Sequence, residues 1–167
     1  MSLIAVSKGA LRRRMSMVGA VLLMGAVVSA GAAGAAGALE VIHARQHRLH
    51  SLGREFKSLR DRAGDSHPNW SAIAGEANDI ERLAAALPGW FPAGSGPGHG
   101  VKTRAAAAIW AQPKAFARAA RTFLNRARDL QQAAARHDRR ALAPRARALG
   151  EACGSCHRRF RARGSWW

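Results

Sequence analysis

Apolar residues recur every three or four positions in four segments of the chain, a spacing typical of amphipathic helices. These segments predict helices over Leu39–Asp61, Asn69–Ala86, Pro113–Ala135 and Leu142–Arg163. No segment alternates between apolar and polar residues over the length of a strand, so we expect an all-α protein. Pro144 leaves the first residues of the last helix open, because proline cannot donate a backbone hydrogen bond.

The connection between the second and third predicted helices is long. It spans Leu87–Pro113, and we expect its aromatic residues Trp90, Phe91 and Trp110 to pack against the helices. One helical turn is expected around Arg104–Trp110. Four helices of about 20 residues with alanine-rich seams predict an antiparallel four-helix bundle.

Residues 1–38 have the composition of a secretory signal. Lys8 and three consecutive arginines precede an apolar run from Met15 to Ala30, and no acidic residue occurs in this part. We expect cleavage after Ala38, which would leave residues 39–167 as one bundle domain in the periplasm. An uncleaved membrane anchor is the alternative, although the apolar run is shorter than the roughly 20 residues of a spanning helix.

The chain is strongly basic, with 27 Lys and Arg against 10 Asp and Glu and a net charge of +17. Without residues 1–38 it would carry +13. This charge favours encounters with anionic partners. Because an exported protein rarely meets nucleic acid, and because the basic residues are spread over every predicted helix, we expect a solvated basic surface and no nucleic-acid partner. We find no carboxylate pair, activated nucleophile or phosphate loop, so the chain is not expected to be an enzyme.

The most specific motif is Cys153-Gly154-Ser155-Cys156-His157, which matches the attachment pattern of c-type haem. On a helix, residues three and four positions apart lie on one side, so both sulfur atoms and the imidazole can reach one porphyrin. The motif therefore predicts one covalent haem c, with His157 as the proximal iron ligand.

Three other interpretations of the cysteine pair remain open. A thioredoxin-like redox pair normally occurs next to strands, which this sequence lacks. A structural zinc ion needs four ligands, and only two cysteines are present. A disulfide between residues three apart would close a very small ring.

The motif at the end of the last bundle helix resembles the attachment region of the class II cytochromes c, in particular the cytochrome c prime family. The similar stretches are Gly150–Arg161, Leu87–Pro92, Ala108–Phe116 and Arg45–Leu49. The resemblance implies particular roles for residues outside the motif. Arg45 and Gln46 would contact the haem propionates, and Ser95 would contact the haem from the loop. Arg161 would lie near the proximal face, and Leu49 would cover the distal face of the iron.

The residue at position 49 departs from the low-spin, electron-carrying members of the class, which have methionine as the sixth iron ligand. Leucine cannot coordinate iron, so the resemblance implies a five-coordinate haem that binds nitric oxide or carbon monoxide. The alternative is an electron carrier with an acidic redox partner and a sixth ligand from elsewhere, for instance His99 or a methionine of the signal region. Members of this family often dimerise through their first two helices, so a homodimer is also implied.

Two further features of the first helix bear on this site. Arg45 lies on the apolar stripe, where it either extends outward to water or pairs with a buried anion such as a haem propionate. His43, His47 and His50 lie on the face of the helix nearly opposite that stripe, so they are expected to face water.

Overall fold

A computed structural model describes residues 26–98 and 102–163. The described chain forms five α-helices and one 3-10 turn over Leu87–Trp90: α1 (Ala26–Ala63), α2 (Trp70–Ala86), α3 (Ala108–Ala111), α4 (Pro113–Ala135) and α5 (Arg139–Phe160). Within these two ranges there is no strand, and the sole β-type pairing is an isolated antiparallel bridge between Ala105 and Arg161.

The four long helices form the predicted antiparallel four-helix bundle, in which short turns join α1 to α2 and α4 to α5 and the long connection joins α2 to α4. Helix α4 packs extensively against α2 and α5, and α1 packs against α2. By contrast, α1 and α5 touch each other over a much smaller area. A gap therefore remains between the first and last helices.

The apolar stripes predicted from the sequence form the core. On α1, Ile42, Arg45 and Leu59 are buried, whereas Leu52 and Phe56 are half-buried. The other three long helices contribute mostly aliphatic and aromatic side chains to the main cluster, including Ile73, Ala77, Ile80, Ala84, Phe123, Ala127, Leu130, Leu142 and Leu149. Alanine on α2 and α4 allows the two backbones to approach closely.

Helix α5 begins earlier and ends earlier than predicted. The side chain of Asp138 accepts hydrogen bonds from the backbone N–H groups of Arg140 and Ala141 at 3.1 and 3.0 Å, so the helix starts at Arg139. Pro144 lies exposed inside α5. The helix ends at Phe160, because Arg161 leaves it to pair with the loop before α3.

Helix α1 is described from Ala26, so it extends at least thirteen residues upstream of the predicted start at Leu39. Alanine has the highest helix propensity, and no proline interrupts this stretch, so the helix continues upstream without a break. Cleavage after Ala38 remains a prediction. None of the helices in the described ranges has the length and apolar content required to cross a membrane.

The aromatic residues of the long connection pack as expected. Phe91 lies 5.0 Å from Phe116 and 6.2 Å from Trp110, measured between ring centroids. Trp90 is buried, and the guanidinium of Arg48 lies 5.9 Å from its ring. Helix α3 accounts for the helical turn predicted in this connection. Together these contacts fix the connection against the end of the bundle that holds the Cys-x-x-Cys-His motif.

Candidate functional site

A cavity of about 580 Å³ lies in this end of the bundle, between α1, α4 and α5. Its size falls in the range of about 300–1,000 Å³ that is usual for small-molecule and cofactor sites. Most of its wall is apolar, formed by side chains such as Leu52, Phe56, Ile80, Leu87, Phe91, Ile109, Phe116, Phe123, Leu149 and Phe160. It opens between α1 and α5, where several of its lining residues are exposed to solvent.

Helix α5 brings Cys153, Cys156 and His157 together on one wall of the cavity, as the spacing predicts. Both cysteines are half-buried and free. Burial raises the pKa of the Cys153 thiol to about 11, and nearby Cys156 adds to this effect. Burial also raises the pKa of Cys156. Such an environment stabilises an uncharged sulfur, which suits a thioether better than a thiolate metal ligand.

His157 is exposed at the mouth of the cavity, but part of its ring is covered. This partial burial lowers the pKa of His157, and the positive charges of Arg161 and Arg104 lower it further. The imidazole is therefore neutral at neutral pH. A neutral imidazole nitrogen is the form that coordinates iron.

Arg45 occupies the opposite wall and does not extend outward, since only 1% of its surface is exposed. Its guanidinium donates hydrogen bonds to the carbonyl oxygen of Ser95 at 3.1 Å, to Ser95 Oγ at 3.0 Å and to Thr103 Oγ1 at 3.2 Å. It also lies 4.8 Å from the ring centroid of Phe91. Burial lowers the pKa of Arg45, yet arginine keeps its charge in proteins.

No carboxylate lines this cavity in the part of the chain that the structure describes. Its charged lining residues are instead the cations Arg45, Arg104 and Arg161. A buried positive charge calls for an anion nearby. An apolar cavity with cationic residues, two uncharged thiols and a neutral imidazole fits a haem, whose ring is apolar and whose propionates are anionic.

Leu49 is the one exposed large hydrophobic residue among those described, with 36% of its surface accessible, and it lines the cavity. It therefore presents an aliphatic group to the same space as Cys153 and His157. His43 and His47 are exposed and lie outside the lining, as expected. His50 is also exposed but lines the cavity mouth, one residue after Leu49. His99, the other candidate sixth ligand, lies outside the described residues.

Gln46 and Ser95 differ in their relation to the cavity. Gln46 lines it, and its Nε2 donates a hydrogen bond to the carbonyl oxygen of Lys102 at 2.8 Å. Ser95 is buried but is not a lining residue. It accepts the hydrogen bonds of Arg45 and donates one from Oγ to the carbonyl oxygen of Pro92 at 2.8 Å. Ser95 thus contacts Arg45, and its expected contact with the haem stays a prediction.

The sequence did not indicate the contribution of the segment before α3. Ala105 pairs with Arg161, the N–H of Ala162 donates to the carbonyl oxygen of Arg104 at 2.8 Å, and Thr103 and Arg104 line the cavity. This pairing holds Arg161 in the cavity lining beside His157, and its expected position near the proximal face of the haem stays a prediction. The segment has no helical or strand periodicity, and the pairing joins positions far apart in sequence.

An all-α bundle whose cavity is lined by the Cys-x-x-Cys-His motif is the structure expected of a helical-bundle c-type cytochrome. Within that class, the chain belongs to the Cytochrome C' family, whose pattern matches residues 40–161. The cofactor is accordingly a covalently attached haem c, and the chain carries Cys153 and Cys156 for its attachment.

Relatives with similar sequence or structure agree with this assignment. Cytochrome c-554 of Cereibacter sphaeroides is 33% identical over 123 residues, which cover 72% of this chain and 80% of that protein. A cytochrome c' with an unusual ligand-controlled dimer dissociation has a TM-score of 0.69 and 25% identity, and the match covers 74% of this chain and 95% of that one. The nitric oxide complex of a variant of cytochrome c prime from Alcaligenes xylosoxidans shares the fold, with a TM-score of 0.68 and 19% identity. The match covers 75% of this chain and 97% of that one.

The family assignment fixes the general role of the chain. It is a class II cytochrome, a haem protein of electron transfer or gas binding. The cavity places Cys153, Cys156, His157, Arg45, Gln46, Leu49 and Arg161 around one space. Helix α1 supplies the wall of this space that faces the motif on α5.

Proposed function

We propose that the chain is a periplasmic cytochrome with a five-coordinate haem c that binds nitric oxide or carbon monoxide. The observation that carries this proposal is the position of Leu49, an aliphatic side chain that faces the cavity opposite the motif. Bound haem iron supplies reversible binding of a diatomic gas and a one-electron change of charge. The residues of the chain decide which face of the iron is accessible.

In this proposal the α5 wall holds the cofactor. The sulfur atoms of Cys153 and Cys156 form its two covalent links, and a ring nitrogen of His157 is the proximal ligand. Partial burial, and after it the charges of Arg161 and Arg104, lower the pKa of His157 and so favour the neutral imidazole. The half-buried thiols suit this role, because thioethers carry no charge and need no polar partner.

Arg45 and Gln46 would hold the propionates on the other wall. The guanidinium is already fixed by Ser95 and Thr103, so little side-chain entropy is lost when it pairs with a carboxylate. Leu49 would then cover the distal side. An aliphatic cover admits small neutral gases and offers no hydrogen bond to water or to an anion.

Addition of carbon monoxide or nitric oxide to the purified ferrous protein tests this function. We expect each gas to change the visible spectrum with a single saturable transition, since the distal position has no ligand to displace. The matched control is the double variant Cys153→Ala and Cys156→Ala, which should carry no covalent haem and give no spectral change. A ferrous haem protein that bound neither gas would contradict the proposal.

A second candidate is a six-coordinate electron carrier. His50 favours it, because this residue lines the cavity mouth next to Leu49 and has a side chain that coordinates iron. In this case the His50→Gln substitution would change the ligand-free spectrum. In the five-coordinate case the same substitution leaves it unchanged.

The location and assembly of the chain are further proposals. Residues 1–38 support export to the periplasm, as expected for a haem attached outside the cytoplasm. A homodimer is supported by the similar fold of the cytochrome c' that shows ligand-controlled dimer dissociation. Neither proposal depends on the residues that line the cavity.

A further inference from the structure

A second concave space lies in the gap between α1 and α5, beside the cavity that the motif lines. It has a volume of about 730 Å³, and we call it the side groove. Exposed charged residues such as Arg60 and Arg147 line it, so it is open to water. None of the attachment residues Cys153, Cys156 and His157 lines it, so we expect it to remain open in the holoprotein.

Phe56 separates the side groove from the cavity. Among the described residues it is the one side chain that lines both spaces. On α5 the division runs between neighbours in the sequence. Leu149 and Cys153 line the cavity, whereas Gly150 and Gly154 line the side groove. The two spaces are therefore adjacent, with the ring of Phe56 between them.

The ring of Phe56 lies against a position on α5 that has no side chain. A methyl group added at Gly150 would be 3.6 Å from Phe56 Cζ and 3.7 Å from Cε1, an ordinary van der Waals distance. The guanidinium of Arg60 lies 5.8 Å from the centroid of the same ring. Phe56 is half-buried, and side chains that are partly exposed change rotamer rapidly. Glycine at position 150 thus leaves room beside the ring for such a movement.

We propose that Phe56 controls the passage of small neutral gases between the side groove and the cavity. The proposal rests on the proposed function, because it concerns the route by which carbon monoxide or nitric oxide reaches a haem in that cavity. A neutral diatomic gas passes an aromatic ring without losing hydrogen bonds, whereas an anion or a water molecule has to give them up. Phe56 therefore sets how fast the gas enters, and Leu49 remains the residue over the iron.

A residue on the route is distinguished by its kinetic effect from a residue that contacts the bound gas. The barrier at Phe56 acts on entry and on escape alike, because the same ring has to move in both directions. The association and dissociation rate constants should therefore change by the same factor, and the dissociation constant, which is their ratio, stays the same. A residue that contacts the bound gas changes this ratio.

Carbon monoxide binding to the ferrous holoprotein gives both rate constants. Stopped-flow mixing measures association, and replacement of bound carbon monoxide by excess nitric oxide measures dissociation. For Phe56→Leu, which shortens the side chain, we expect both rate constants to rise about fivefold while the dissociation constant changes less than about twofold. For Gly150→Ala, whose methyl group contacts the ring, we expect both to fall about threefold. Because alanine favours a helix more than glycine does, this second variant tests the proposal even if Phe56→Leu fails to fold.

Each variant has a matched control. Leu124→Ala shortens another half-buried side chain that packs against the same main cluster as Phe56, but Leu124 lines neither space. Gly75→Ala makes the same change in helix propensity on α2, where the added methyl group meets no atom within 4 Å. We expect each control to change either rate constant less than about twofold.

Three results would overturn the proposal. Leu124→Ala could raise both rate constants as much as Phe56→Leu, which would mean that general loosening of the bundle admits the gas. Phe56→Leu could change one rate constant alone, or Gly150→Ala could leave both unchanged. A holoprotein that binds carbon monoxide at the same rates in every variant refutes the route alone, whereas a ferrous holoprotein that binds no carbon monoxide refutes the proposed function itself.

Discussion

The Leu49→Met substitution is expected to convert the haem from high-spin and five-coordinate to low-spin and six-coordinate. Leu49 lines the cavity from α1 and 36% of its surface is accessible to solvent, so a thioether of similar volume has room to reach the iron. Methionine sulfur is a known axial ligand of haem iron. Visible absorption of the ferrous variant measures the change.

The same variant should bind carbon monoxide at least about tenfold more weakly, because the gas must first displace the new ligand. Leu52→Met is the control, since Leu52 also lines the cavity and lies three residues further along the same helix, on the same face. We expect it to keep the high-spin spectrum. If Leu52→Met and Leu49→Met had equal effects, or if neither had any, Leu49 would not be the residue above the iron.

The Arg45→Met substitution is expected to lower the free energy of unfolding of the holoprotein by about 3–5 kcal/mol, the usual cost when one partner of a buried charge pair is removed. Arg45 is 1% exposed, and its donors satisfy Ser95 and Thr103. Methionine would leave these acceptors and a propionate without a partner. Urea unfolding followed by the helical circular dichroism signal measures the loss.

Arg48→Met provides the comparison for Arg45. Arg48 is exposed on the same helix and contacts the ring of Trp90 at 5.9 Å, so its replacement should cost less than about 1 kcal/mol. A cost for Arg45→Met as small as that for Arg48→Met would show that the buried guanidinium has no anionic partner. An Arg45→Lys variant should fall between the two, because lysine keeps the charge but loses the forked hydrogen bonds.

Local patterns in the sequence predicted the helices and the attachment motif well. The spacing of Cys153, Cys156 and His157 is a property of one helix, so their convergence required no knowledge of the rest of the fold. The bounds of α4, Pro113–Ala135, were also predicted, because a proline opens the helix and one apolar stripe runs through it. The predicted start of α5 at Leu142 was wrong. Pro144 made the first residues of the helix ambiguous, and the helix begins directly after its N-cap residue Asp138.

The parts of the site that depend on contacts between distant segments were not predictable in the same way. The pairing of Ala105 with Arg161 joins positions far apart in sequence, and Arg161 belongs to a segment predicted to be helical as far as Arg163, so no local signal indicated the pairing. Ser95 reaches Arg45 and not the cavity wall, which depends on the path of the whole connection. His50 lines the mouth because the cavity covers a wider arc of α1 than the single stripe through Arg45.

The spectrum of the ferrous protein without added ligand tests the central claim most directly. If His157 is the sole axial ligand and Leu49 covers the other face, the spectrum will be that of a high-spin haem c and will be the same in a His50→Gln variant. Sharp low-spin bands in the unmodified protein would contradict this account, and their loss on His50→Gln substitution would identify His50 as the sixth ligand.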